Sequence, residues 1–131
     1  MITDEDRQEI VKLRIEEAYN TMKEAQLLID NSFWNAAINR MYYACYYAAT
    51  ALLIKNGIEA QTHAGVRQML GLHFIRTGKL TVELGNYYSN LFAKRQSGDY
   101  DVYIFFDKNT VETIYPQANE FIAGIVNLIS V

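Results

Sequence analysis

The stretch from Trp34 to Lys55, WNAAINRMYYACYYAATALLIK, runs for twenty-two residues without glycine or proline. Its apolar residues fall on almost every face of a helix. Such a helix cannot stand alone in water and must be covered on several sides. Alanines at 36, 37, 44, 48, 49 and 51 permit close helix approach. Gly57, just after Asn56, supplies a natural C-terminal stop. The chain is therefore organised around one central helix, expected from Ser32 or Phe33 to Asn56, and the remaining segments are its cover.

That cover reads as helical too. Proline occurs once and glycine seven times in 131 residues, so breakers are scarce. Thr3 with Asp4, Glu5 and Asp6 forms a helix start, the acids lying at the positive end of the dipole. Ile10, Leu13, Ala18, Met22, Ala25 and Ile29 then recur at helical spacing, with a stop near Asn31-Ser32. Thr62 caps a third helix that ends before Gly78. Thr81 caps a fourth, ending around Arg95 to Gly98. DYDVYIFF has no partner strand and reads as an extended connection. A last helix starts at Asp107 or Asn109 and holds Pro116, which either kinks it or marks where its regular part begins. The expected architecture is an all-α, antiparallel four- to five-helix bundle in a single domain, 1–131.

Composition narrows the function classes. Half of the residues are hydrophobic and the mean hydropathy is close to zero, as in a globular chain. The length allows a core without metal or disulfide. Cys45 is the single cysteine and lies in an apolar run, where a packed thiol is expected. No signal-like start and no membrane-length apolar run stand in the sequence, so a cytoplasmic protein off the membrane is expected. The net charge of −3 argues against a bulk electrostatic nucleic-acid binder. Its distribution is uneven: −4 over 1–31, +5 over 32–98 and −4 over 99–131. Either the basic middle presents a local anion site, or the segments pair within the fold.

Two arginines hold the chemical interest. Arg40 stands in the central helix, with Tyr43 and Tyr47 three and seven positions on along the same face. It is either a buried cation clamped by a carboxylate or part of an Arg-Tyr surface for phosphate. Arg95 and Asp99 are four apart, a spacing that permits a local pair. Arg95 is otherwise solvated at a helix end. The sharper alternative pairs Asp99 with Arg40 across the bundle and frees Arg95 to face an anion. His63 and His73, ten residues apart on one helix, point about 80° apart and lie ~15 Å apart, so they cannot share a metal from one face. No metal and no cofactor is expected. His63 is expected as a polar anchor at a helix start, and His73 as a contact within the bundle.

AAINRMYYACYYAATALL, THAGVRQMLGLHFIRTGKL and LFAKRQSGDYD, in that order and spacing, resemble the short prokaryotic HEPN-domain proteins over residues 8–130. The resemblance implies a helical bundle, usually dimeric. It implies two kinds of function: metal-independent endoribonucleases, often toxins, with an Arg followed by a His, and partners of a minimal nucleotidyltransferase. By position Arg95 matches the family's Arg. Where the His would follow stand Tyr100, Asp101 and Val102, and a tyrosine with a pKa near 10 is a poor general base. The leading expectation is a dimeric module acting with a nucleotidyltransferase in a toxin–antitoxin or nucleotide-linked system. Its pocket for a phosphate-bearing ligand would be built from Arg40, Tyr43, Tyr47, His63, Arg95, Asp99 and Tyr100. RNA or a nucleotide is the ligand class, and Tyr103 is the candidate for modification by the partner. One alternative is a divergent endoribonuclease with Arg95 and Tyr100 as catalytic candidates, or His63 in proton transfer. The other is a structural oligomerisation domain. A dimer interface is expected to draw on Tyr42, Tyr46, Tyr87 or Tyr88.

Overall fold

The structure, a computed structural model, describes residues 2–101 and 103–130. Its elements are α1 (Asp4–Asp30), α2 (Trp34–Lys55), α3 (His63–Leu70), α4 (Val82–Tyr100) and α5 (Lys108–Ser130). α3 continues directly into a wider π turn, Gly71–Ile75. The described residues contain no strand, and the architecture is an all-α bundle.

The helix starts follow from local chemistry. Thr3 and Asp6 satisfy each other's backbone N–H in a capping box, at 3.0 and 3.1 Å. Thr62 and Thr81 accept from Gly65 and Leu84 in the same manner. Asp107 accepts from the Thr110 N–H at 2.8 Å and opens α5. Pro116 lies well inside α5, which is regular from Lys108 onward. α2 ends at Lys55, and Gly57 beyond it, at φ +70°, closes the turn with the Ile58 N–H donating to the Leu53 carbonyl. Ser32 does the same work after α1 at φ +63°, a conformation that is less favourable for a residue with a side chain.

α2 touches α1, α3, α4 and α5. Ala37, Ala44, Ala48 and Ala49 are fully buried and admit the neighbours closely. Cys45 is buried, its thiol turned to the Ala118 carbonyl at 3.9 Å, and burial pushes its pKa far up. On α1 the covered stripe is Val11, Ala18, Thr21, Met22 and Ala25. Leu13 is half exposed instead, because the stripe passes through its neighbour Val11.

The last turns of α4 depart from the expected ending near Gly98. RQSGDY is helical through Tyr100 because α2 holds it. The Asn35 amide donates to the carbonyls of Gly98 (3.5 Å) and Ile104 (2.9 Å), and its oxygen accepts from the Phe106 N–H (2.8 Å). A Cβ on Gly98 would meet the Phe106 ring at 3.0 Å, so a larger residue there would push that ring aside by a few tenths of an ångström.

Candidate functional site

Arg95 is the buried arginine, at 7% exposure, while Arg40 keeps 32% of its side chain open. This reverses the expected roles. Tyr88, Leu91, Phe92 and Arg95 follow one another at helical spacing, so Arg95 extends the covered stripe of α4 rather than trailing into solvent. Its guanidinium carbon lies 4.9 Å from the Tyr42 ring centre, 5.4 Å from Tyr43 and 5.9 Å from Phe92. Cation–π attraction of this kind strengthens as the cation is desolvated. Its Nη1 lies 3.7 Å from an Asp99 carboxylate oxygen. Its Nε is buried and meets no hydrogen-bond partner among the described residues.

The expected direct pair between Arg40 and Asp99 is not formed; Asn39 stands between them. The Asn39 amide donates to Asp99 at 2.9 Å, and its oxygen accepts from Arg40 Nε and Nη2 at 3.1 and 2.9 Å. Arg40 then reaches Glu24 of α1 at 3.4 Å. The chain Glu24–Arg40–Asn39–Asp99–Arg95 thus ties three helices together with two positive and two negative groups. Tyr43 sits between the cations, 5.2 Å from Arg40 and 5.4 Å from Arg95. Tyr47 lies farther along the same face, with Arg14 of α1 5.7 Å from its ring centre.

His63 opens α3 and meets α2. Its Nδ1 lies 2.7 Å from the Tyr42 hydroxyl, and its ring stacks on Tyr46 at 4.3 Å. Burial raises the Tyr42 pKa to about 12. The phenol therefore keeps its proton, and the bond runs from Tyr42 to Nδ1 or from Nδ1–H to Tyr42 according to the imidazole tautomer. Burial lowers the His63 pKa, and the nearby Arg95 lowers it further. Folded His63 is thus harder to protonate than the unfolded residue, whose ordinary value is 6.5. Above that value both states are neutral and the residue adds no pH dependence. Below it the unfolded chain takes the proton first, and stability falls until the folded imidazole titrates. Melting temperatures from pH 7 down to about 5.5 are expected to fall more steeply for wild type than for His63→Gln. Parallel lines would refute the placement.

Other expected participants stand apart. Tyr100 is 77% exposed and Tyr103 87%, so neither closes over Arg95. Val102 lies outside the described residues. His73 is exposed on the π turn, not packed within the bundle. Tyr42 and Tyr88 are fully buried and cannot line a dimer interface, whereas Tyr46 and Tyr87 are partly open. Among the described residues no three His, Cys, Asp or Glu side chains gather as a metal site. No helix there is long and apolar enough to cross a membrane.

Sequence reasoning missed Asn39, Tyr42 and Phe92 as members of this cluster. Asn35 and Asn39 are four apart on an otherwise apolar helix, and that short polar stripe was the available signal. Both face the end of α4.

The HEPN domain model matches residues 11–128. A UPF0332 protein of Thermotoga maritima is 32% identical over 124 residues, 95% of this chain and 94% of its own length. Two proteins of Methanocaldococcus jannaschii are also similar. One, named "Putative toxin MJ0142", is 33% identical over 88% of this chain and 78% of its own. The other, named "Putative toxin MJ0605", is 30% identical over 95% and 92%.

Proposed function

From the premise that the chain belongs to the HEPN domain family, we propose that it is a dimeric, toxin–antitoxin-type binding module that works with a nucleotidyltransferase and does not itself cut RNA. One observation carries this reading. The Arg95 guanidinium is sealed under three aromatic rings and paired with Asp99. Cleavage of a phosphodiester needs cationic donor edges open to the scissile phosphate and a proton-transfer group within reach. Tyr100, Asp101 and Val102 follow at the spacing where the imidazole would stand, and Tyr100 points to solvent.

The outer end of the bundle suits a partner. Phe33, Tyr100, Tyr103 and Phe105 are each at least 60% exposed there. Asn35 pins the connection that carries Phe105 beside the start of α2. Exposed aromatics of this type are interface material. The Tyr103 hydroxyl is open to a nucleotidyl donor: its oxygen would attack the α-phosphorus of a nucleoside triphosphate, a base of the nucleotidyltransferase would take the phenolic proton, and pyrophosphate would leave with the electrons of the bond from that phosphorus to the bridging oxygen. The named toxins among the relatives support the same setting.

Purified wild-type protein and Arg95→Ala, incubated with RNA without metal, are both expected to leave it intact. A co-expressed nucleotidyltransferase from the same operon is expected to co-purify. Cleavage by wild type that disappears in Arg95→Ala would overturn the reading. A second reading would then take its place: Tyr42 contacts both Arg95 and His63, so α3 offers the imidazole that the segment after Arg95 lacks. In that case His63→Ala would abolish the cleavage as well.

A further inference from the structure

A second set of arginines lies outside the Arg95 cluster. A cleft of about 310 Å³ opens between α3 with its π turn and the first half of α4. Arg67, Arg76, Asn86, Tyr88 and Ser89 supply its polar lining, and no carboxylate is among the described residues around it. Neither arginine makes an ion pair within 4.0 Å among the described residues. The Arg67 guanidinium carbon lies over Phe92, 4.9 Å from the ring centre.

Arg67 lies on α3 and Arg76 just past the π turn, and both line this cleft. Nine residues of regular α-helix would carry Arg76 through about 900°, to the side opposite Arg67. A π turn takes up one residue more, which holds Arg76 back by roughly 100° and leaves the pair about a quarter turn apart. Gly71 opens this turn, and a Cβ there would meet nothing within 4 Å, so the mouth of the cleft is clear.

The floor of the cleft is closed by Tyr88, whose hydroxyl turns inward to α2. Tyr88 is fully buried, yet its hydroxyl meets no hydrogen-bond partner among the described residues. It faces Tyr42, Cys45 and Tyr46 of α2, with Tyr42 close enough to interact with it directly. Burial holds its pKa well above the ordinary 10.0, so it stays a donor at any working pH.

We propose that this cleft binds a phosphate ester, with Arg67 and Arg76 as its cationic lining. Paired guanidinium forks fit phosphate geometry, and the missing carboxylates leave their charge uncompensated until an anion arrives. The volume is at the small end for organic ligands and suits a mononucleotide, with Asn86 and Ser89 placed to hydrogen-bond its neutral part. One phosphate of an RNA strand would present the same chemistry. The proposal does not rest on whether the chain cleaves RNA or has a nucleotidyltransferase partner.

The test is titration of the full chain, followed by NMR and calorimetry at fixed ionic strength, with inorganic phosphate, AMP and hexauridylate. AMP is expected to bind at millimolar concentration or below. Arg67→Gln and Arg76→Gln are each expected to weaken it about tenfold or more, and Arg14→Gln to leave it unchanged. Both target arginines are exposed, so the fold should survive, and unchanged melting curves would verify that. Binding of hexauridylate but not AMP, with the same dependence on both arginines, would assign the phosphate to a strand. No binding of any of the three at millimolar concentration, or binding indifferent to both arginines, overturns the proposal.

Discussion

Phe121→Ala is expected to lower the stability of the bundle by about 3–5 kcal/mol. The ring is fully buried on α5 and stacks on Tyr88 of α4, with centres 5.1 Å apart and planes within 14°. It therefore joins α5 to α4 against the central helix. Truncation removes the transfer free energy of the ring and leaves a void that a bundle of stiff helices cannot close. In a chain of this size the melting temperature would fall by about 10–20 °C. Phe121→Leu keeps most of the volume and is expected to cost about 1–1.5 kcal/mol. Chemical denaturation of the three proteins would check the order. An alanine variant within about 1 kcal/mol of wild type would mean that α5 is not docked as described.

Asp99→Ala is expected to cost about 2 kcal/mol, although its side chain is about a quarter exposed. The loss arises mainly at Arg95, which stays charged and nearly buried with no carboxylate beside it. A fully enclosed pair would lose more, and water reaching the Asp99 side softens the penalty. Arg95→Met in the Asp99→Ala background should recover most of the loss, because methionine fills the box of Tyr42, Tyr43 and Phe92 without a charge. The double variant should therefore be more stable than Asp99→Ala alone. A denaturation cycle over the four proteins measures the coupling directly. If Asp99→Ala matches wild type, Asp99 is not the counterion of Arg95.

What the chain reveals about itself divides along sequence distance. The caps at Thr3, Thr62 and Thr81 and the stop at Gly57 were legible because each is settled within four or five residues. The all-α character was legible because the period of the apolar residues is itself local. The arginine roles were not. Judged by neighbours on its own helix, Arg40 looked enclosed and Arg95 looked solvated. The packing of α4 against α2 decided otherwise, through contacts more than fifty residues apart. The stripe of Tyr88, Leu91, Phe92 and Arg95 was visible, but an arginine at its end reads as the place where the stripe stops. The link from Tyr42 to His63 crosses a loop whose course nothing in the sequence states. The π turn after Leu70 has no signature beyond Gly71, because a widened turn is stabilised by what packs on either side of it.

The central helix also sets a timetable for synthesis. α2 finishes at Lys55, yet part of its cover comes from α5, at Ala118, Phe121, Ile122 and Ile125. Those residues leave the ribosome some seventy positions later, an interval of roughly 4–14 s at ordinary elongation rates. Throughout that time the hairpin of α1 and α2 carries an uncovered apolar face into a crowded cell. The nascent hairpin is therefore a natural client for a chaperone that holds apolar helices. It is also the point at which two unfinished chains, translated side by side, are most able to exchange helices.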